Sequence, residues 1–376
     1  MALVGLASIV YSYVSTMSEP SSLPLGVRSV EWVRASGGAW FVNDVERWYY
    51  SRRVPKPGGP GLATLPRFGA AVPGSGPSGP TRRAAVTRSP RPSVAFAPAR
   101  IAPLVMPRIA GEGVWSGTGQ AVAGRPAVLV TAFRPDPTYP RTIAYVAWIN
   151  HRRTQLALYP GRYQPPSGTP RGPMQVPFGQ RWRLLATFNS GFTYSDGHGG
   201  FVLDGRTYEP LQPGLATLVA YRDGRVDVVS WRGRTNGGRQ VVLARQNLPL
   251  IVSHGRPNPN LGDGPAWGAT LGNAIRVWRS GVGIDRYGNL IYAAADFQTV
   301  RSLAAILIHA GAVRAMQLDI NAEWPSFITY GRRGGRDPIK LVPNTQQSAS
   351  RYLSPDDRDF FAVFRRSGSS ARVPLR

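Results

Sequence analysis

The stretch from residue 55 to 104 constrains the fold of this 376-residue chain more than any other feature of its sequence. Pro, Gly, Ala and Arg dominate it, and the run from residue 72 to 80 is almost entirely Pro, Gly and Ser. Such a composition buries too little apolar surface to offset the entropy that ordering costs. We therefore expect a disordered or extended Pro/Gly-rich linker here, ahead of one larger domain at residues 105–366.

Short apolar runs separated by turns characterise the expected domain. Residues 126–133 and 142–149 are typical of strands, and Asp-Gly pairs at residues 204–205 and 223–224 each predict a tight hairpin. The expected fold class is α+β, a strand-dominated mixed-sheet domain with a few helices.

Two helices are expected in the second half of the domain. Residues 300–310 carry an apolar stripe at helical spacing, with Thr299 as N-cap and Gly311 at the end. A short last helix is expected to open at Ser354, because Pro355 suits its first position.

The apolar N-terminus, residues 1–14, has two alternative interpretations. It spans about half of the ~20 residues that cross a bilayer, with no basic segment before it and no clear cleavage site after it. It is either an ordinary buried helix or, over residues 1–16, the outer end of a membrane anchor that begins upstream. The anchor is favoured, because the stretch leads directly into the polar residues 15–20 and then to a long linker. A short helical segment is expected at 22–54, before that linker. We therefore expect an extracytoplasmic protein, membrane-anchored or secreted.

The net charge of +25 arises from 45 Lys and Arg against 20 Asp and Glu. All but Lys56 and Lys340 of these basic residues are Arg, which indicates a GC-rich genome more than a dedicated phosphate binder. The charge still favours anionic partners. Nucleic acid is the weaker hypothesis, because no basic stripe is interleaved with aromatic residues. The absence of Cys excludes disulfides, thiol catalysis and Cys metal sites.

Asp319, Asn321 and Glu323 are the strongest candidates for a functional site. In an extended segment they would share one face. Burying carboxylates without partners is costly, so such a cluster is unfavourable in a core and is more typical of a functional site. The alternative is that Asp319 caps a turn and Glu323 pairs with an arginine. A calcium-binding EF-hand loop does not fit, because Trp324 replaces its glycine. A divalent cation, Ca²⁺ or Mg²⁺, held by oxygens from separate segments stays an alternative, and no cofactor is certain.

Three other segments carry candidate ligand-binding residues. Asn189 follows a strand and either permits a turn or presents its amide to a ligand. Arg279 and Ser280 precede glycines, an arrangement that suits an oxyanion such as phosphate. His198 lies in a flexible turn, where a histidine is more often solvated than bound to a ligand.

Four segments between residues 180 and 330 form an ordered series. They are residues 189–192 (Asn-Ser-Gly-Phe), 200–205, 279–283 (Arg-Ser-Gly-Val-Gly) and 310–319, which ends in Leu-Asp. This series resembles the phosphodiester glycosidase family, with its N-acetylglucosamine-1-phosphodiester alpha-N-acetylglucosaminidase-like domain, and its actinobacterial-type branch in particular. The sequence departs from the family pattern after Asp319, where Gly-Gly-Gly-Ser is replaced by Ile-Asn-Ala-Glu at residues 320–323.

The resemblance implies a cell-envelope hydrolase that cleaves the glycosidic bond of a sugar-1-phosphodiester. Asp319 would be the central carboxylate, with Glu323 as acid/base or supporting group. Substrate contacts would come from Arg279 (to the phosphate), Ser280, Asn189, Asn321 and His198. The alternative is a non-catalytic envelope protein that binds an anionic glycopolymer, which the altered glycine loop and the high charge favour. The expected partners are therefore a phosphorylated sugar or such a polymer, with the membrane at the N-terminus.

Overall fold

Three antiparallel sheets form the body of the protein. The computed structural model describes residues 2–38, 40–42, 45, 55–59, 61–66, 97–167, 172–262, 264–268, 270, 274–343 and 347–366. The helices are α1 Ala2–Ser18, α2 Leu25–Val33, α3 Tyr194–Gly197 and α4 Val300–His309. The strands are β1 Ser116–Val122, β2 Arg125–Phe133, β3 Ala144–Ile149, β4 Thr154–Tyr159, β5 Leu184–Asn189, β6 Phe201–Leu203, β7 Arg206–Glu209, β8 Ala216–Tyr221, β9 Val226–Ser230, β10 Val241–Gln246, β11 Val252–Ser253, β12 Arg256–Pro257, β13 Val277–Asp285, β14 Leu290–Gln298, β15 Ala312–Gln317, β16 Phe327–Arg332, β17 Arg336–Lys340 and β18 Phe360–Arg365.

The sheets are one of eight strands and two of five. Their orders are β1-β2-β3-β14-β13-β15-β11-β12, β7-β6-β10-β8-β9 and β17-β16-β5-β18-β4. The main apolar core takes side chains from all three sheets, and a second core lies between the largest sheet and α4. The α+β, strand-dominated fold class is confirmed.

Local signals predicted the hairpins and the long helix correctly. The β6–β7 hairpin turns at Asp204 and Gly205, whose φ angles of 51° and 72° are those a two-residue type I′ turn requires. Thr299 caps α4 in a reciprocal capping box with Ser302, and Gly311 follows the helix with φ 99°.

The expected helix at Ser354 is wrong. Residues 354–359 form an irregular loop after a 3-10 turn at Arg351–Leu353. In this loop Asp356 accepts hydrogen bonds from Arg351 Nε at 2.6 Å and Nη2 at 3.0 Å. A fully buried guanidinium requires such a partner, and this requirement outweighs the local preference for a helix.

The segment that joins α1 to α2 lies against the loop at 355–357. Ser22 donates from its backbone N–H to Pro355 O at 2.8 Å and from Oγ to Asp356 Oδ2 at 2.7 Å. Leu23 and Val27 pack on Trp324. These contacts connect α2 to the end of the domain that carries the candidate site.

The rest of the N-terminal region is only partly described. Residues 7–15 of α1 are exposed, so the alternative of an ordinary buried helix is not what the structure shows. None of the helices among the described residues is long and apolar enough to cross a membrane. Much of the predicted linker, and the last part of the helical segment expected at 22–54, lie outside the described residues. In the described parts of 55–104, Leu62 and Leu65 pack against the main core.

Candidate active site

Asp319 lies just beyond the end of β15, with only 5% of its surface exposed. Its N–H donates to Ser190 O at 3.1 Å, which joins it to the segment after β5. Its carboxylate accepts hydrogen bonds at both oxygens, from the Asn321 N–H at 3.0 Å and from Arg358 Nη2 at 2.5 Å. A buried carboxylate is therefore held by one backbone donor and one guanidinium.

The expected shared strand face of Asp319, Asn321 and Glu323 is wrong. The chain turns here: Asn321 donates its N–H to Asp319 Oδ1, and Glu323 donates its N–H to Asn321 Oδ1 at 3.1 Å. Such side-chain-to-backbone bonds, two residues apart, are a preferred use of Asp and Asn in turns. Asp319 thus caps a turn, as the alternative interpretation held, and it is also buried and paired with an arginine.

A hydrogen-bonded chain joins three of the four predicted motifs, those that contain Asn189, Ser280 and Asp319. Asn189 Nδ2 donates to Ser280 Oγ at 3.0 Å, and Ser280 Oγ donates to Asp319 O at 2.7 Å. Asn189 Oδ1 accepts from Tyr292 Oη at 2.8 Å and from the Ser326 N–H at 3.0 Å. The structure brings these candidate residues together, and their contacts are those of a scaffold that fixes the backbone of Asp319.

Arg279 is buried among protein acceptors. Its Nε donates to Gln298 O at 2.9 Å, and its Nη1 donates to Gln317 Oε1 at 2.7 Å and to Trp267 O at 3.3 Å. With 4% of the residue exposed, this guanidinium ties β13 to its neighbours. Its expected contact with phosphate stays a prediction that these bonds do not favour.

His198 and Asp196 lie on the exposed side of the site, at α3. His198 ends α3 in the left-handed conformation at φ 46°, and its ring packs edge-on against Tyr194. Asp196 accepts from Thr193 Oγ1 at 2.5 Å, and its negative charge opposes ionisation of Asp319.

Burial is the main influence on the acidity of Asp319. Loss of water raises the pKa of its carboxyl above the ordinary value of 3.8. The Arg358 guanidinium and the Asn321 N–H lower it, without cancelling the effect of burial. A buried carboxyl group with a raised pKa is suited to proton transfer nearer neutral pH than an exposed aspartate.

Arg358, which the sequence analysis missed, is the charged partner of Asp319. Its guanidinium carbon lies 4.8 Å from the centre of the Trp324 ring, and Arg351 lies 4.9 Å from that same ring. Two buried ion pairs flank it on the 355–359 loop: Arg351 with Asp356 and Arg245 Nε with Asp359 at 2.8 Å. The packing around Arg358 therefore fixes its guanidinium beside Asp319.

Three buried polar atoms near Asp319 have no hydrogen-bond partner among the residues that the structure describes. They are Arg358 Nε, Ser190 Oγ and Asn247 Oδ1. Asn247 belongs to this cluster because its Nδ2 donates to Gln317 O at 2.8 Å and because a Cβ on Gly191 would lie 3.2 Å from it. Since buried polar atoms are normally satisfied, such a cluster indicates a place for a polar ligand or water.

Ile320 stands where the resembled family has glycine, and the structure accommodates it. A Cβ on Gly268 would lie 2.6 Å from Ile320 Cδ1 and 2.8 Å from the Phe192 ring. Ile320 and Phe192 therefore pack directly on the backbone at Gly268, whose φ of 107° also favours glycine. The bulky residue contacts this backbone while the Asp319 carboxylate keeps its two partners.

Among the described residues, no group of three or more His, Cys, Asp or Glu side chains is arranged to hold a metal ion. Asp319 has Asn321 and Arg358 as its hydrogen-bond donors. The residues around it therefore do not form a carboxylate-rich set of the kind that Ca²⁺ and Mg²⁺ prefer.

Gly161→Ala is expected to destabilise the fold by about 1–3 kcal/mol and to reduce any activity at Asp319. A Cβ at this position would lie 2.4 Å from the backbone carbon of Arg358 and 2.5 Å from Asp357 O, so the loop would have to move. Chemical denaturation measures the change. The matched control is Gly179→Ala, where nothing lies within 4 Å of the new methyl group. Equal stability of both variants would contradict the close approach.

Known proteins resemble part of this chain. Residues 183–319 match the family described as phosphodiester glycosidase. No curated protein gives a match. One similar structure is the zebrafish N-acetylglucosamine-1-phosphodiester alpha-N-acetylglucosaminidase catalytic domain, auto-inhibited by its pro-peptide. It shows 16% identity over 66% of this chain and 86% of that chain, with a TM-score of 0.45.

Two further similar structures come from bacteria. A hypothetical Synechocystis protein shows 14% identity over 65% of this chain and 63% of its own, with a TM-score of 0.38. An exported protein of Burkholderia pseudomallei shows 14% identity over 61% and 75%, with a TM-score of 0.33. The family match ends at Asp319, the carboxylate at the centre of the cluster described above. Over residues 183–319 this chain is thus similar to the phosphodiester glycosidase family.

Proposed function

We propose that this protein hydrolyses the glycosidic bond of a sugar-1-phosphodiester, with Asp319 as the central carboxylate. The observation that supports this most directly is the buried Asp319 carboxyl, whose pKa burial raises, at the meeting point of the family motifs. A buried carboxyl beside unpaired polar atoms is the arrangement expected where a sugar binds and reacts.

The reaction breaks the bond between the anomeric carbon and the bridging oxygen, and water adds to that carbon. The products are a free sugar and a phosphomonoester. Positive charge develops at the anomeric centre, and a nearby carboxylate stabilises it. The phosphomonoester leaves readily, so strong acid assistance to the leaving group is unnecessary. Asp319 supplies the negative charge. Glu323, four residues further along the chain, is the proposed second carboxyl.

The purified protein is incubated with a panel of sugar-1-phosphodiesters, and phosphorus NMR monitors release of a phosphomonoester. A new monoester resonance that grows with time supports hydrolysis. No resonance with any substrate, with or without added Ca²⁺ or Mg²⁺, contradicts it.

Binding of an anionic glycopolymer without catalysis is the second candidate function. The net charge of +25 and the isoleucine at position 320 favour it. A purely electrostatic binder holds polymer in a manner that weakens steeply with salt and is insensitive to Asp319→Asn. Loss of polymer binding on this one substitution would contradict the second candidate.

The cell envelope is the proposed location, with the N-terminal helix at the membrane surface. Support comes from the exposed apolar side chains Ile9, Val10, Tyr11 and Val14 on α1. Membrane fractionation tests this. Recovery of the whole protein in the soluble fraction would contradict the anchored form.

A further inference from the structure

Arg358 presents part of its guanidinium to the site instead of using all of it in the fold. Nη2 donates to Asp319 Oδ2 at 2.5 Å and makes a long contact of 3.5 Å to Gly191 O. Nε is buried and, within the described part of the chain, has no acceptor. The side chain keeps 14% of its surface exposed. The side chain therefore leaves one donor without an acceptor, and a separate part of its surface stays open to solvent.

The surroundings of Arg358 hold its guanidinium in place before any ligand arrives. Trp324 packs against it, and the ion pairs of Arg351 and Arg245 fix the loop on either side. A planar guanidinium stacked on an aromatic ring loses little further freedom when it binds an oxyanion. Arg279, by contrast, is committed to Gln298, Gln317 and Trp267.

We propose that Arg358 binds the phosphate of the substrate, in place of the Arg279 contact expected from the sequence. This inference rests on the proposed function and names the residue that recognises the charged half of the substrate. A phosphate oxygen accepts from the Arg358 guanidinium and competes with Asp319 for it. Arriving substrate thereby releases the carboxylate toward the anomeric carbon, which couples phosphate recognition to the reacting group. Ser190 Oγ can donate to the same phosphate, and Asn247 Oδ1 can accept from a sugar hydroxyl.

Inorganic phosphate is the probe that separates recognition from turnover. Its affinity is measured by isothermal titration at about 0.15 M salt, where contacts with distant exposed charges are largely screened. Arg358→Gln is expected to weaken phosphate binding at least tenfold, because it removes a charge-assisted hydrogen bond. Arg358→Lys keeps the positive charge but loses the two-pronged guanidinium geometry. Its phosphate affinity should therefore lie between those of wild type and Arg358→Gln. The matched control is Arg332→Gln. Arg332 is the last residue of β16 and forms an exposed ion pair with Asp337, so this variant should bind phosphate like wild type.

Phosphate affinity in the Asp319→Asn variant separates two roles of Arg358. An arginine that binds phosphate should respond to this substitution, whereas one that only supports the fold should not. Removing the competing negative charge is expected to tighten phosphate binding several-fold in the presence of Arg358. The double variant Asp319→Asn with Arg358→Gln should lose that gain. Thermal melts of every variant confirm that folded proteins are compared.

The outcomes separate this inference from the proposed function. Wild-type phosphate affinity in Arg358→Gln, or an equal gain from Asp319→Asn with and without Arg358, overturns the role of Arg358 even if the diester is hydrolysed. Loss of affinity in Arg358→Gln with no hydrolysis by wild type overturns the hydrolase and leaves an anion site at Arg358.

Discussion

Asp319→Asn is expected to lower the rate of phosphomonoester release by about a hundredfold to a thousandfold, the loss typical when one electrostatic stabiliser of the transition state is removed. Asparagine keeps the size of the side chain and an oxygen for the Asn321 N–H, so the turn survives. It loses the negative charge that stabilises the anomeric centre. Initial rates by phosphorus NMR, with circular dichroism as the check on folding, measure the effect.

The control for Asp319→Asn is Asp223→Asn. Asp223 lies in the exposed β8–β9 turn, where its carboxylate accepts from the Arg225 N–H at 2.8 Å. This variant removes the same charge from the protein at a position on the hairpin and should keep the wild-type rate. A folded Asp319→Asn protein that turns over substrate like wild type would remove Asp319 from the mechanism.

Arg351→Met is expected to destabilise the fold by about 3–5 kcal/mol, the largest effect on stability that we predict. Arg351 is 1% exposed and Asp356 is fully buried, and removing the guanidinium leaves that carboxylate without its ionic partner. Because Arg358 lies two residues after Asp356, the site should also lose its order. Urea denaturation gives the free energy of unfolding. Phosphate affinity, measured at urea concentrations below the unfolding transition, shows whether the site is intact.

Arg332→Met is the comparison for the buried pair. Arg332 also contacts an aspartate, Asp337, but both side chains are exposed and screened by water. No measurable change in unfolding is expected. If Arg351→Met were equally silent, the Arg351–Asp356 pair would not hold the 355–359 loop.

Sequence patterns predicted the elements whose causes are local. The Asp204–Gly205 hairpin and the Thr299 cap each depend on a few neighbouring residues, and both form as expected. The clustering of Asn189, Ser280 and Asp319 followed from the order of motifs and is found as hydrogen bonds. In contrast, alternation was the wrong pattern for residues 319–323, because Asp319 and Asn321 bond to backbone N–H groups two residues ahead.

The partner of Asp319 could not be read from the sequence. Arg358 is one arginine among many and lies 39 residues after Asp319, beyond the segment that matches the family. Its place depends on Trp324 and on the buried pairs of Arg351 and Arg245, which only the folded chain brings together. Phosphate binding was predicted for Arg279 because glycines follow it. In the structure its guanidinium is buried and donates hydrogen bonds to protein oxygens.

Hydrolysis in water enriched with oxygen-18 tests the central claim most directly. A sugar-1-phosphodiester is incubated with the protein, and the phosphorus resonance of the product is examined for the small shift that oxygen-18 causes. Cleavage at the anomeric carbon places the heavy oxygen on the sugar, so we expect an unshifted phosphomonoester that Asp319→Asn does not produce. A shifted phosphomonoester would show attack at phosphorus and contradict a glycosidase.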